Sequence, residues 1–392
     1  VPGVSSPVGV SAYAGIPLTH RDFSSSISII TASYDASHQG LRIDWEKIAS
    51  RSGTLVFLMG ARKLPEIVEN LTRFGKAPET PVAVVQWGTT SRQKTWTGTL
   101  GTIVDIAMKE KIAPPALTII GEVVGLRPLI KWYETLPLFG KTIAVTRAEE
   151  QAASFIQALE DKGAEPFCFP VIRTVAPEDW TPLDRALGQL ASYDGLIFTS
   201  ANGVGFFMQR LIETGRDIRD LKGARVYAIG PQTASRVRDL GIPVDVVPEK
   251  FVAESLIDSL AEEGDSAGRR FLLPRAAVAR EILPEKLCEM GAHVDVAPAY
   301  RTLRAEVDTE ALKKRLEDRT LDAITFTSSS TVTNFLEIAG PPLRPLLKDV
   351  KIACIGPVTA ETARKAGLNV AIVPETFTVA ALIEALEHHL GA

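Results

Sequence analysis

A stretch beginning at Tyr227, YAIGPQTASRVRDLGIPVDVVPE, returns in step from Ala353 as ACIGPVTAETARKAGLNVAIVPE. In each copy a short apolar run leads into Gly-Pro and then into apolar residues at helical spacing, Ala234, Val237 and Leu240 in the first. Proline suits a first helical position because its missing N–H would be unpaired there anyway. Gly241 and Gly367 stand where a helix stops most easily on a left-handed residue. Each stretch therefore reads as strand, turn and helix, and IPVDVVPE and LNVAIVPE each read as a further strand.

The duplication is wider than this stretch. GKTIAVTRAEEQAASFIQALEDKGAEPFCFPVIRT from Gly140 matches GRRFLLPRAAVAREILPEKLCEMGAHVDVAPAYRT from Gly268, aligning Arg147 with Arg275 and Arg173 with Arg301 at an offset of 128. LIFTSANGV and ITFTSSSTV align at the same offset, Ser200 falling on Ser328. A unit of about 125 residues present twice, alternating β-rich runs with helical segments, implies two similar doubly wound α/β domains with parallel sheets. Ligands of open α/β sheets bind at the carboxyl ends of the strands, where TRA/PRA, FTS and IGPxTA all fall, so a cleft with similar chemistry on both walls is expected.

The remaining composition narrows the function. Hydrophobic residues at 45% and charged residues at 23% leave no long tract too polar to fold. A net charge of −4 gives no general attraction to nucleic acid or to an anionic membrane, and no run reaches the roughly 20 apolar residues of a membrane span. The three cysteines, Cys168, Cys288 and Cys354, are far apart and read as buried thiols of a cytoplasmic protein. The five histidines show no ligand spacing, so no metal site is expected. The opening VPGVSSPVGVSAYAGIPLTHR has neither an initiator Met nor a basic segment before an apolar core; it reads as the interior of a gene product and not as a secretory signal.

Several residues suit an anionic ligand. GPQTA and GPVTA offer first-turn amides with Thr233 and Thr359, Ser200 and Ser328 stand at helix starts, and Arg147 and Arg275 follow strands. Each also has a plain structural reading, as a helix cap or a solvated cation. No phosphate-binding, dinucleotide or nucleophile-elbow motif is present. The residues alone lead to a cleft that favours anions and uses no cofactor.

These segments, taken in order over about 138–392, resemble uroporphyrinogen-III synthase. The resemblance implies two α/β domains joined by two extended linkers, one from residues 138–172 plus 303–392 and the other from 173–302. It implies that linear hydroxymethylbilane, which bears eight carboxylates, loses water to an azafulvene and closes through a spiro intermediate, with ring D inverted, to uroporphyrinogen III. Tyr300 in AYRT matches the tyrosine expected to assist loss of the hydroxyl; Arg147, Ser200, Thr233, Arg275, Ser328 and Thr359 fall at substrate-binding positions. Read structurally, Tyr300 is an aromatic packed in a linker. A rival reading is a two-domain solute-binding or sensor module without catalysis.

The first 137 residues, through VPGVSSPVGVSAYAGIPLTHRDFSSS, LVFLMGARKLPEIVENLTRFG, TPVAVVQWGTTSRQKTWTGTL and PALTIIGEVVGLR, resemble the C-terminal half of uroporphyrinogen-III C-methyltransferase. That family methylates the synthase product with S-adenosylmethionine, and Ser5, Ser6, Met59 and Gly88 fall where it contacts the cofactor. Its G-x-G-P-G-D and G-G-D-P segments are absent from this sequence. The expectation is a piece of a fused methyltransferase–synthase that does not methylate by itself, with a homodimer possible through the methylase part.

Overall fold

The computed structural model describes residues 3–32, 43–248, 253–262, 264, 266–279 and 281–391. The chain forms two compact units, Val1–Phe169 with Val307–Ala392, and Pro170–Glu306.

The first unit opens with a five-stranded sheet of β1 (Ile27–Thr31), β2 (Thr54–Leu58), β3 (Pro81–Gln86), β4 (Lys94–Thr99) and β5 (Ala116–Ile120) in the order β1-β2-β5-β3-β4. Only β1 and β2 are parallel; the other pairings are antiparallel. The central strands are near-continuous apolar runs because both faces are covered. Leu55, Phe57, Val82 and Val84 pack against Leu64, Ile67 and Leu71 of the helix Leu64–Arg73. Val56, Ala83, Val85 and Ile119 meet Ala14 and Ile16 on the other face. Each fully buried Val, Leu, Ile or Phe side chain among these contributes about 1.5–3 kcal/mol.

The helix Ser6–Ala14 has Pro7 in its first turn and stops at Gly15, whose φ of 67° is left-handed and whose N–H donates to Ala12 O at 3.1 Å. It lies so close to the end of β3 that a Cβ on Gly88 would come within 2.6 and 2.7 Å of the Val10 methyl carbons. A buried polar network anchors the same region. Glu134 accepts from Arg127 Nη2, from Gln93 Nε2 at 2.8 Å and from Thr95 Oγ1 at 2.7 Å, while Gln93 Oε1 accepts from the Thr89 N–H at 2.8 Å.

The chain then enters a second sheet of the same unit with β6 (Thr142–Val145), crosses through the helix Glu149–Asp161 and returns as β7 (Glu165–Cys168). The other unit holds β8 (Ile172–Val175), β9 (Gly195–Phe198), β10 (Arg225–Ala228), β11 (Arg270–Ala276) and β12 (His293–Arg304). The first unit is completed by β13 (Ala323–Phe326), β14 (Lys351–Cys354) and β15 (Val370–Ile372). The strand orders are β10-β9-β11-β12-β8 and β15-β14-β13-β6-β7. Since β6 and β7 correspond to β11 and β12, and β9 and β10 to β13 and β14, each sheet combines two strands of one copy with the later strands of the other. The repeat unit and the folded unit are different things.

All pairings in these two sheets are parallel except β8 on β12, which runs antiparallel from Arg301↔Val175 to Arg304↔Ile172. There the two stretches of chain that cross between units form a short ribbon. At each seam between copies an aspartate ties the edges. Asp194 Oδ2 accepts from the Arg270 N–H and Asp322 Oδ2 from the Thr142 N–H, both at 2.8 Å.

Two expectations need correction. IPVDVVPE does not form a strand: Val246 makes an isolated parallel bridge with Tyr227, and Glu249 lies outside the described residues. The Asp245 and Val246 N–H groups both turn to the Val226 carbonyl oxygen, at 2.8 and 3.4 Å, and the Asp245 carboxylate accepts the Val226 N–H at 2.7 Å, so a side chain takes the place of a ladder bond. The cysteines are not all buried. Cys168 ends the edge strand β7, and Cys288 follows the inward Leu287 on the outer face of the helix Ile282–Glu289; both are exposed. Cys354, within the central β14, is buried, and burial pushes its thiol pKa up to about 12.

Two outcomes follow. Gly88→Ala should lower stability by about 1–3 kcal/mol, as overpacking does, and the added Val10→Ala should recover part of that loss in urea unfolding. A thiol reagent at neutral pH should modify Cys168 and Cys288 in the folded protein and reach Cys354 only after denaturation.

Candidate functional site

In the Pro170–Glu306 unit the carboxyl ends of β9, β10, β11 and β12 lie along one edge. After β9, Ser200 adopts the extended conformation of an N-cap, and its Oγ accepts from the Gly203 N–H at 3.1 Å, satisfying one of the open donors of the helix Ala201–Glu213. After β10, Gly230 begins the helix Pro231–Arg238. Between β11 and β12 the register jumps: Arg275 pairs with Pro298, but Ala276 pairs with Tyr300. This bulge, by taking up one extra residue, sets the direction of the tyrosine within β12, level with the end of β11.

The result is a direct contact between two expected site residues. Tyr300 Oη and Ser200 Oγ are 2.9 Å apart, with either able to donate. The Tyr300 ring is 8% exposed within the unit's core, and Phe206 of the helix after Ser200 stacks on it at 5.8 Å and 13°. Gly203 permits the close approach: a Cβ there would be 3.1 Å from the Pro274 carbonyl oxygen and 3.9 Å from Tyr300 Cε1. The Ala277 N–H donates to the Tyr300 carbonyl oxygen at 2.8 Å.

Thr233, in the first turn after Gly230, is only 5% exposed. The sequence suggested a hydroxyl open to a ligand, whereas the exposed residues of that turn are Pro231 and Gln232. Arg275 is buried and forms an ion pair with Glu281, a partner absent from the sequence reading.

The other unit repeats the frame. Ser328 caps the helix Ser329–Leu343 in a reciprocal capping box: its Oγ accepts from the Thr331 N–H at 3.3 Å, and Thr331 Oγ1 accepts from the Ser328 N–H at 3.2 Å. Gly356 starts the helix Pro357–Lys365, in which Thr359 is 6% exposed. Arg147 follows β6; its Nε donates to Gln151 Oε1 at 2.9 Å, and burial pulls its guanidinium pKa below the usual value. What this edge lacks is the tyrosine. Ile172, which matches Tyr300 in the repeat, lies on β8 of the Pro170–Glu306 unit, Asn334 matches Phe206, and Ser328 Oγ meets Ser330 Oγ at 2.9 Å instead. Phe206 went unnoticed in the sequence, and comparing the copies would not have paired it with Tyr300, because the two residues belong to different copies.

In the first sheet Phe57 of β2 and Val84 of β3 flank Thr118 of β5, so β2 and β3 leave the sheet at the same edge. Met59 and Gly88 follow them there. Met59 is 60% exposed on a left-handed backbone with φ of 53°, and Trp87 and Thr89 on either side of Gly88 have φ of 52° and 69°. A non-glycine residue in this region is strained, and two such turns on one edge are the kind of cost retained where a ligand is held. Neither turn is visible in the sequence. The Arg92 guanidinium covers Trp87 at 4.4 Å. Ser5 and Ser6 are exposed at the start of the helix that touches Gly88 through Val10, and Ser5 makes no side-chain cap bond. An exposed thioether beside backbone strain fits an aromatic, sulfur-bearing cofactor in chemical character. Among the described residues no cluster of His, Cys, Asp and Glu could hold a metal, and no helix is long and apolar enough to cross a membrane.

Comparison with known proteins agrees with both parts of this description. Residues 153–384 match the family of uroporphyrinogen-III synthase HemD, and residues 1–104 match the tetrapyrrole (corrin/porphyrin) methylases. The porphyrin biosynthesis protein HemD of Ruminiclostridium josui is 34% identical over 387 residues, which cover 98% of this chain and 75% of that protein. The uroporphyrinogen-III synthase of Chlorobaculum parvum is 33% identical over 239 residues, covering 60% of this chain and 94% of its own. The S-adenosyl-L-methionine-dependent uroporphyrinogen III methyltransferase of Methanosarcina barkeri is 43% identical over 130 residues, which are 33% of this chain and 51% of that protein. With a synthase match over more than half its length and a relative similar almost from end to end, the chain belongs to the uroporphyrinogen-III synthase family and carries a tetrapyrrole methylase region ahead of the synthase.

Proposed function

We propose that this chain is a uroporphyrinogen-III synthase that closes hydroxymethylbilane to uroporphyrinogen III with inversion of ring D and loss of water. The synthase domains are residues 138–172 with 303–392, and residues 173–302. The observation that carries the reading is the Ser200–Tyr300 hydroxyl pair at the carboxyl edge of its sheet, within a chain of this family. Loss of water needs a proton on the departing hydroxyl, and a phenol held in place supplies one. In each unit the helix starts, at Gly230 and at Gly356, offer first-turn amides to a carboxylate; of the residues matched to substrate positions, Arg147, Ser200 and Ser328 stand at these edges, while Thr233, Thr359 and Arg275, which is paired with Glu281, are buried and support the turns from within. Because the bilane also closes unaided to the uninverted isomer, the protein's task is chiefly to hold one conformation. The reaction is redox-neutral and needs no electron carrier.

Residues 1–137 are, on the same reading, the C-terminal half of a uroporphyrinogen-III C-methyltransferase, with Ser5, Ser6, Met59 and Gly88 placed to contact S-adenosylmethionine, the donor of the methyl group. The chain spans about half the length of the curated methyltransferase it matches. A homodimer through this region, and a cytoplasmic location, belong to the same proposal.

An assay that generates hydroxymethylbilane in place and separates the oxidised uroporphyrin isomers should give predominantly isomer III. Isomer I alone, from folded protein, would return the binding-module reading to the front.

A further inference from the structure

We propose that Ser200 is a positioning residue that acts through Tyr300, so that the two hydroxyls deliver a single proton as one unit. The inference rests on the synthase reading and specifies how its proton donor is built.

Counting donors and acceptors leads there. Ser200 Oγ accepts the Gly203 N–H at 3.1 Å and shares one hydrogen bond with Tyr300 Oη at 2.9 Å. Two hydroxyls carry two protons, and the bond between them uses one; the other is left for a third partner. The Gly203 N–H polarises the serine oxygen and strengthens the serine as a donor. The favoured arrangement is Gly203 N–H to Ser200 Oγ, Ser200 O–H to Tyr300 Oη, and the phenolic proton turned outward.

The proton then has a defined course. Tyr300 gives it to the hydroxymethyl oxygen of the bilane. The carbon–oxygen bond breaks with its electron pair leaving on water, and the pyrrole nitrogen lone pair forms the azafulvenium. The phenolate is held by the Ser200 O–H until ring closure releases a proton from carbon, which restores the phenol. Nothing is oxidised or reduced.

The duplicated frame supplies an internal control. Ser328 caps its helix with its Oγ paired to Ser330 Oγ and to no tyrosine, the residue that matches Tyr300 in the repeat, Ile172, lying on β8 of the other unit. Capping therefore does not require the pair. Tyr300 is also fixed from other sides by the Phe206 stack and by the register jump at Ala276, so the serine is not needed to hold the ring.

The test uses the full chain in the isomer-resolved assay. Tyr300→Phe should lower kcat on the order of 100-fold. Ser200→Gly, which leaves an acceptable N-cap, should lower kcat about tenfold with KM unchanged. The double variant should lose no more than Tyr300→Phe alone, and Ser200→Thr should restore the rate. Ser200→Asp keeps a strong cap but only accepts, so it ties up the phenolic proton; it should lose as much as Tyr300→Phe, and it serves if the glycine variant unfolds. Multiplied losses in the double variant, on the order of 1000-fold, or a wild-type rate in Ser200→Asp, would overturn the proposal while leaving the synthase reading intact. Wild-type protein that yields only isomer I would remove both.

Discussion

The synthase sheets depend on the seams where a strand of one copy meets a strand of the other. In one, β11 lies on β9 with Phe271 opposite Gly195; in the other, β6 lies on β13 with Ile143 opposite Ala323. Both seams oppose a small residue to a large one. Gly195 has no alternative: a Cβ there would come within 2.6 Å of the Phe271 ring. Interiors at crystal-like density transmit even one methylene of misfit, so the volumes on the two sides of a seam are linked. The carboxylates of Asp194 and Asp322 complete each join by accepting the first N–H of the incoming strand, a charge-assisted bond at a position where the ladder would otherwise end.

On this shared frame the two edges differ in chemistry. Helix starts, serine caps and buried threonines recur in both units, and such features serve folding as well as ligand binding. Tyr300 and Phe206 come from different copies and meet within the Pro170–Glu306 unit. Burying a phenol within a core is tolerable when its hydroxyl has a partner, and Ser200 provides it. In the other unit Ser328 turns to Ser330. Duplication supplied the binding frame twice, and the reactive feature was placed on one side of it.

Much of this was legible in the sequence because it rests on local rules. Gly-Pro before a helix, serine at an N-cap and the left-handed Gly241 and Gly367 are all satisfied within a few residues, and φ of 76° and 86° at those glycines agrees with the pattern. Apolar runs such as ALTII and GLIFT became central strands for the same reason. The features that escaped depend on partners distant in the chain. The Ser200–Tyr300 bond spans 100 residues, the Arg275–Glu281 pair required Arg275 to be buried, and the exposure of Cys168 follows from β7 lying at a sheet edge. IPVDVVPE misled because its apolar alternation matched a strand while the Asp245 carboxylate takes the Val226 N–H in place of a ladder bond. The left-handed turns at Met59, Trp87 and Thr89 had no compositional sign at all, since none is a glycine.

The exchange of strands between copies also sets an order of events during synthesis. The Asp194–Arg270 bond joins residues 76 apart, whereas Asp322–Thr142 joins residues 180 apart, with the whole other unit made in between. The added loop-closure entropy is small, about 0.6 kcal/mol per doubling of length. Time is the larger matter. At the roughly 5–20 residues per second of translation, β6 emerges on the order of ten seconds or more before β13 exists to pair with it. The inner unit can close on itself meanwhile, but the apolar β6 waits with one edge open, exposed to chaperones and to other nascent chains.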